Sequence, residues 1–81
     1  MSETRDKIVQ CFQMVFPELE TQELPRASMA SLAQWDSLAH VTLLSVIAEE
    51  FSLEIAPEEY EELTSFALIE DFVQNHINQH G

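Results

Sequence analysis

The residues best suited to chemistry in this 81-residue chain are four in a row, Trp35-Asp36-Ser37-Leu38, with His40 close behind. A serine placed where a helix begins presents its hydroxyl beside backbone N–H groups that lack an intrahelical acceptor. It also stands at the positive end of the helix dipole, where an exposed phosphate ester gains about 0.3–1 kcal/mol. Ser37 therefore suits a covalently attached phosphate, although Asp36 opposes one electrostatically. The same two residue types are ordinary helix N-caps, so capping alone explains their presence equally well. No capping box completes the pattern, because Ala39 and His40 occupy the places where Glu or Gln would stand. The spacing leaves both roles open.

Other reactive side chains carry weaker signals. His40 lies three residues after Ser37, but nothing orients the imidazole and no glycine-bearing nucleophile elbow surrounds the serine. It reads as a polar surface histidine, and no catalytic residue is assigned. Cys11 is the sole cysteine and sits among Val9, Phe12 and Val15, as a small packing hydrophobe would. Glu58, Glu59, Glu61 and Glu62 lack the spaced ligands and central glycine of a calcium loop, so they read as a solvated acidic face and no metal site is expected. His76 and His80 fall in or after the last turn of the final helix, where positive charge suits the dipole. Met14 and Met29 read as packing residues.

The elements that position these residues are helical. Ile8, Val9, Phe12, Val15 and Phe16 recur at helical steps, giving a first helix from about Glu3 to Phe16, stopped at Pro17. From Pro17 to Asp36 the periodicity is lost, and Leu19, Leu24, Met29 and Leu32 are scattered anchors for a long loop with a short turn at Met29–Leu32. Asp36 and Ser37 open a second helix ending near Phe51. Its core stripe is Leu43, Ile47 and Phe51 with Leu44 and Val46 beside it, and Leu38 and Val41 lie off that stripe as an exposed apolar strip flanked by Glu49. Pro57 starts a short third helix to Leu63. Thr64 or Ser65 caps the last helix, whose apolar face is Leu68, Ile69, Phe72, Val73 and Ile77. With one glycine and no period-two alternation, the expected fold is an all-α bundle of three longer helices and one short one, a single domain over residues 1–81.

Charge narrows the function. Fifteen acidic residues against three basic ones, Arg5, Lys7 and Arg26, give a formal net charge of −12. Such a surface repels nucleic-acid phosphates and anionic membranes, while complementary potentials speed the approach of basic protein partners. No secretory leader or membrane-length apolar run is evident, so a cytoplasmic monomer is expected.

Trp35-Asp36-Ser37-Leu38, followed by Leu43, Leu44, Ile47, Glu49-Glu50-Phe51 and Glu54-Ile55, resembles the acyl carrier proteins, whose hallmark is an Asp-Ser-Leu triplet opening the second helix. The likeness continues through Glu58-Glu59 and Leu63-Thr64-Ser65-Phe66 to Ile77. The resemblance implies a 4′-phosphopantetheine arm on Ser37, transferred from coenzyme A by a separate Mg²⁺-dependent phosphopantetheinyl transferase that recognises Asp36 and Leu38. The arm's thiol would hold acyl groups as thioesters for loading and processing enzymes of a lipid, fatty-acid, polyketide or other specialised pathway. The domain itself would turn nothing over. Leu38, Val41 and Glu49 would meet basic docking surfaces on those partners.

The chain also departs from the common pattern. Gln34 stands where many carriers have glycine, and Ala39, Thr42 and Ser45 replace the acids and methionine common in fatty-acid carriers. These departures favour a dedicated set of partners. Two other functions fit the same sequence: a carrier of activated amino acids, and an unmodified acidic helical adaptor that binds a basic partner through Leu38 and Val41. All three share the surplus of acid. Between Ala27 and Gly81 no Lys or Arg offsets the carboxylates, so self-repulsion should loosen the fold at low ionic strength. Added salt or a millimolar divalent cation is expected to raise the melting temperature, and an unchanged midpoint would show that repulsion is unimportant.

Overall fold

The structure, a computed structural model, describes residues 3–80, the side chains of 78–80 excepted. Among the described residues are four α-helices: α1 (Glu3–Val15), α2 (Ser37–Phe51), α3 (Pro57–Tyr60) and α4 (Phe66–His80). No strand interrupts them there, and the fold is an acyl-carrier-like helical bundle. Helix α1 carries Glu3 and Asp6 in its first turn, where the helix dipole favours negative charge. It packs chiefly on α2, while α4 closes over α1 and the long loop.

Each long helix contributes one apolar stripe. Ile8, Cys11, Phe12 and the following Phe16 come from the α1 segment, and Leu43, Leu44 and Ile47 from α2. Phe66, Ile69 and Val73 come from α4. Phe12 is the hub, with its ring 5.3 Å from that of Trp35 in an edge-on arrangement and 5.1 Å from that of Phe66. Such aromatic pairs contribute about 0.5–1.5 kcal/mol each beyond the area they bury. Cys11 packs as a hydrophobe: burial, helped by the charge of Glu50, pushes its thiol up to about 11.

The long loop is better ordered than its lost periodicity implies. Leu24 is fully buried, and Leu19, Met29 and Leu32 rest against the core as the expected anchors. Leu24–Arg26 forms a 3₁₀ turn, with Pro25 supplying a fixed φ in place of an amide. The loop is then stitched to the α3–α4 connection by two antiparallel backbone bonds, Met29 N–H to Thr64 O at 2.9 Å and Phe66 N–H to Ala27 O at 3.0 Å. The second bond also satisfies the first amide of α4.

Several expectations need correction. Helix α3 ends at Tyr60 rather than Leu63: the Glu62 N–H bonds the Glu59 carbonyl at 3.0 Å instead of that of Glu58, so the chain tightens into a turn there. Glu59 is only partly a solvated acid, since its carboxylate turns back to accept the Ala56 N–H at 3.0 Å. Leu68 and Ile77 are exposed, so the buried face of α4 is narrower than its apolar spacing. Met14 is 72% exposed and packs against little, whereas Met29 does lie on the core. His76 contacts the Phe72 carbonyl and ring; the side chain of His80 lies outside the described residues.

An ion pair joins α1 to α4. Arg5 donates from Nε and Nη2 to the two oxygens of Glu70, at 2.6 and 2.8 Å. Its guanidinium also lies 5.9 Å from the Phe66 ring centroid. The hydrogen bonds from Arg5 hold the Glu70 carboxyl below its ordinary value of 4.5, against a smaller opposing effect of burial. A depressed carboxyl contributes stability that is present above that ordinary value and lost as pH falls through the folded one. Glu70→Gln should therefore lower the melting temperature at neutral pH, and the gap to wild type should close in acid below pH 4.5. A pH-independent gap in thermal melts would refute the linkage.

Candidate functional site

The site is built at the junction of the long loop and α2, and its geometry is set by two buried rings. Trp35 is almost wholly buried, and its indole N–H donates to His40 Nδ1 at 2.9 Å. His40 Nδ1 must therefore be the unprotonated nitrogen, which leaves the proton on Nε2. That nitrogen donates to the Tyr60 carbonyl at 2.7 Å. The tautomer follows from these two partners. Rings continue the connection, with His40 5.8 Å from Trp35 and 6.2 Å edge-on from Tyr60.

His40 is thus a correction to the sequence reading: it is 5% exposed and belongs to the interior. Its spacing to Leu43, Leu44 and Ile47 puts it in phase with the buried stripe of α2, and that phase was the available signal. A buried indole N–H requires an acceptor, and a neutral imidazole supplies one while passing a donor onward. Tyr60 had no such signal, because its contribution is a backbone carbonyl. Removing either partner would leave a buried polar group unpaired, at a cost of about 1–3 kcal/mol.

Between the two buried anchors, Asp36, Ser37 and Leu38 are exposed. Their roles separate clearly. Asp36 is the N-cap, with extended backbone and Oδ1 accepting the Ala39 N–H at 2.9 Å. Ser37 is the first helical residue, and its hydroxyl enters no hydrogen bond among the described residues. The amides of Ser37 and Leu38 lie in the first turn, where no intrahelical acceptor exists. An exposed, unengaged hydroxyl at a dipole-positive helix end fits a phosphodiester linkage, and the cap is supplied by a different residue.

Beside Ser37 lies a groove of about 370 Å³ between α2, α3 and the long loop. Ser37, His40 and Val41 of α2, Tyr60 of α3, and Met29 and Thr64 line it, His40 being buried. Glu61, which is exposed, lines it too. Leu38 and Val41 are 78% and 47% exposed, and Glu49 is also exposed. Steps of three and eight residues place all three on one face of α2, about 16 Å long at 1.5 Å per residue. The structure brings Ser37, Val41 and the groove together; Glu49 lies two turns beyond Val41 on the same helix. No group of three or more His, Cys, Asp or Glu residues among the described residues is arranged to hold a metal ion. No helix among them is long and apolar enough to cross a membrane.

A small acidic helical bundle that presents one exposed serine at the start of its second helix has the form of a carrier domain. The acyl carrier protein of Thermosynechococcus vestitus (strain NIES-2133 / IAM M-273 / BP-1) is 39% identical over 54 residues, which cover 67% of this chain and 67% of that protein. This chain belongs to the acyl carrier protein family. No protein-family profile matches the chain, and no solved structure matches it either.

The division of labour at the helix start can be measured. Asp36→Ala should cost about 1 kcal/mol through loss of the cap. Ser37→Ala, which removes no hydrogen bond, should change stability by less than about 0.5 kcal/mol. Denaturant melts of the two variants decide it; equal losses would mean that Ser37 shares the capping.

Proposed function

We propose that Ser37 is the attachment point of a 4′-phosphopantetheine arm and that the protein is a carrier, with no turnover of its own. Its cargo is acyl intermediates of a lipid, polyketide or other specialised pathway, handed between cytoplasmic enzymes by one domain acting as a monomer. The observation that carries this reading is the separation of roles at the start of α2: Asp36 caps the helix and Ser37 stands free. Membership of the acyl carrier protein family supports a carrier role.

In the attachment step the Ser37 oxygen forms a bond to the phosphorus of the arm, and the pyrophosphate bond of coenzyme A breaks. Adenosine 3′,5′-bisphosphate leaves, and the serine proton passes to a base of the transferase. The arm supplies a terminal thiol on which acyl groups are held as thioesters. This chain's own residues position it: Trp35 and His40 fix the start of α2, and Asp36 and Leu38 flank the serine for recognition by the transferase. The exposed face Leu38, Val41 and Glu49 offers an apolar centre with an acidic end to basic docking surfaces. Contacts of this kind are screened by salt and release readily, as successive handovers require.

Intact mass after incubation with coenzyme A, Mg²⁺ and a broad-specificity phosphopantetheinyl transferase tests the reading. Wild type should gain one phosphopantetheine mass, and Ser37→Ala should gain none. An unmodified wild type, or equal modification of the variant, would overturn it.

A further inference from the structure

We infer that His40 is a positioning residue for the attachment serine and acts so only in its neutral form, so that one proton releases the start of α2; the inference rests on attachment at Ser37. Both ring nitrogens are committed, in opposite senses. Nδ1 accepts the Trp35 indole N–H at 2.9 Å, and Nε2 donates to the Tyr60 carbonyl at 2.7 Å. An indole N–H only donates, and an imidazolium carries a proton on each nitrogen. The charged ring would set two N–H groups head to head at the Trp35 contact. It keeps the bond to Tyr60 and forfeits the one to Trp35.

Water does not replace that bond in place, because Trp35 is 1% exposed and His40 5% exposed. Either the indole N–H stays unpaired in the interior, at a cost, or the two rings move apart. Both alternatives act on the serine. Trp35 stands two residues before Ser37, and the His40 amide bonds the Asp36 carbonyl at 2.8 Å, closing the first turn around it. The groups around the ring come from three elements. Asp36 precedes it on α2, with its carboxylate turned to the Ala39 N–H. Tyr60 and the exposed Glu61 face it from the end of α3. The long loop brings uncharged Trp35 and Met29, and α1 reaches the site through Phe12 and the following Phe16, whose rings meet that of Trp35. Asp36 and Glu61 are thus the carboxylates nearest an imidazolium here, while both ring nitrogens are bonded elsewhere.

Trp35 is the only tryptophan, so its indole N–H gives one resonance that reports on this bond. The test follows that resonance and the His40 ring Cε1–H by NMR from about pH 8 to about pH 5, the range in which imidazoles change charge. Attachment of phosphopantetheine by the transferase is measured over the same range. In wild type the indole and ring signals should titrate together. The KM for the carrier should rise several-fold toward acid at unchanged kcat, because fewer molecules present a competent serine. His40→Asn is the reference: its amide oxygen takes the place of Nδ1 and accepts the indole N–H, but it does not titrate. Its indole signal should stay level, and the ratio of wild-type to variant KM, in which the transferase's own pH dependence cancels, should rise toward acid. A merely structural histidine would change the melting temperature and leave that ratio constant, which would overturn the inference. Should the variant fail to fold, the wild-type spectra decide: an indole signal that does not move across the range contradicts the coupling, and joint titration upholds it. Failure of wild type to take an arm at any pH overturns attachment at Ser37 and the positioning role with it; attachment with a constant KM ratio overturns the positioning role alone.

Discussion

The arrangement depends on where one buried proton donor finds its acceptor. Trp35 brings a large apolar surface into contact with Phe12 and Phe16, but it also carries an N–H that the interior cannot leave unpaired. His40 accepts that proton, and doing so dictates the tautomer that sends the second ring proton to the end of α3. One donor thereby ties together the loop before α2, the first turn of α2 and the last residue of α3. Residues 35 and 40 both point inward, and a helical start bounded by two inward anchors must turn the intervening Asp36, Ser37 and Leu38 outward. The exposure of Ser37 is a consequence of burial on either side of it.

The rest of the fold supports this in a molecule with little electrostatic help. With a formal net charge of −12, cohesion has to come from packing and backbone bonds. The aromatic cluster around Phe12 supplies the packing. The pair of backbone bonds between residues 27–29 and 64–66 holds the long loop against the start of α4. Arg5 is one of three basic residues in the chain, and its ion pair with Glu70 joins α1 to α4. The face of α2 that carries Ser37, Leu38 and Val41 is left without a structural obligation, as a surface that meets partners in turn must be.

The sequence made the helices legible because their apolar residues recur at a helical period and Pro17 and Pro57 mark a stop and a start. Helix α2 begins and ends where its residues say it should, with Ser37 at its first helical position. What escaped was everything decided by pairing across the chain. The order of the long loop comes from backbone amides meeting carbonyls some forty residues away, and backbone groups leave no mark in residue types. The early end of α3 is a local turn, in which the Glu62 N–H bonds the Glu59 carbonyl, and residue types do not mark it either. His40 was misplaced because histidine is polar by type, although its phase along α2 matched the buried stripe. Leu68 and Ile77 erred in the opposite sense: they are apolar by type but stand exposed on α4.

Asp36 poses the remaining physical question, because an acid adjoining a proposed phosphodiester ought to repel it. Two features reduce that opposition. The Asp36 carboxylate accepts the Ala39 N–H, so part of its charge is already compensated by a backbone dipole directed at it. It also occupies the cap position, while Ser37 follows it into the helix, so the amide that Asp36 engages, that of Ala39, leaves those of Ser37 and Leu38 for a group proposed on Ser37. The residual repulsion acts on a flexible arm at an exposed site, where water screens it and the arm can lean toward the groove lined by Val41 and Tyr60. An acid in this place thus serves the helix, and its remaining charge favours a tether that extends away from the carboxylate and toward the apolar side.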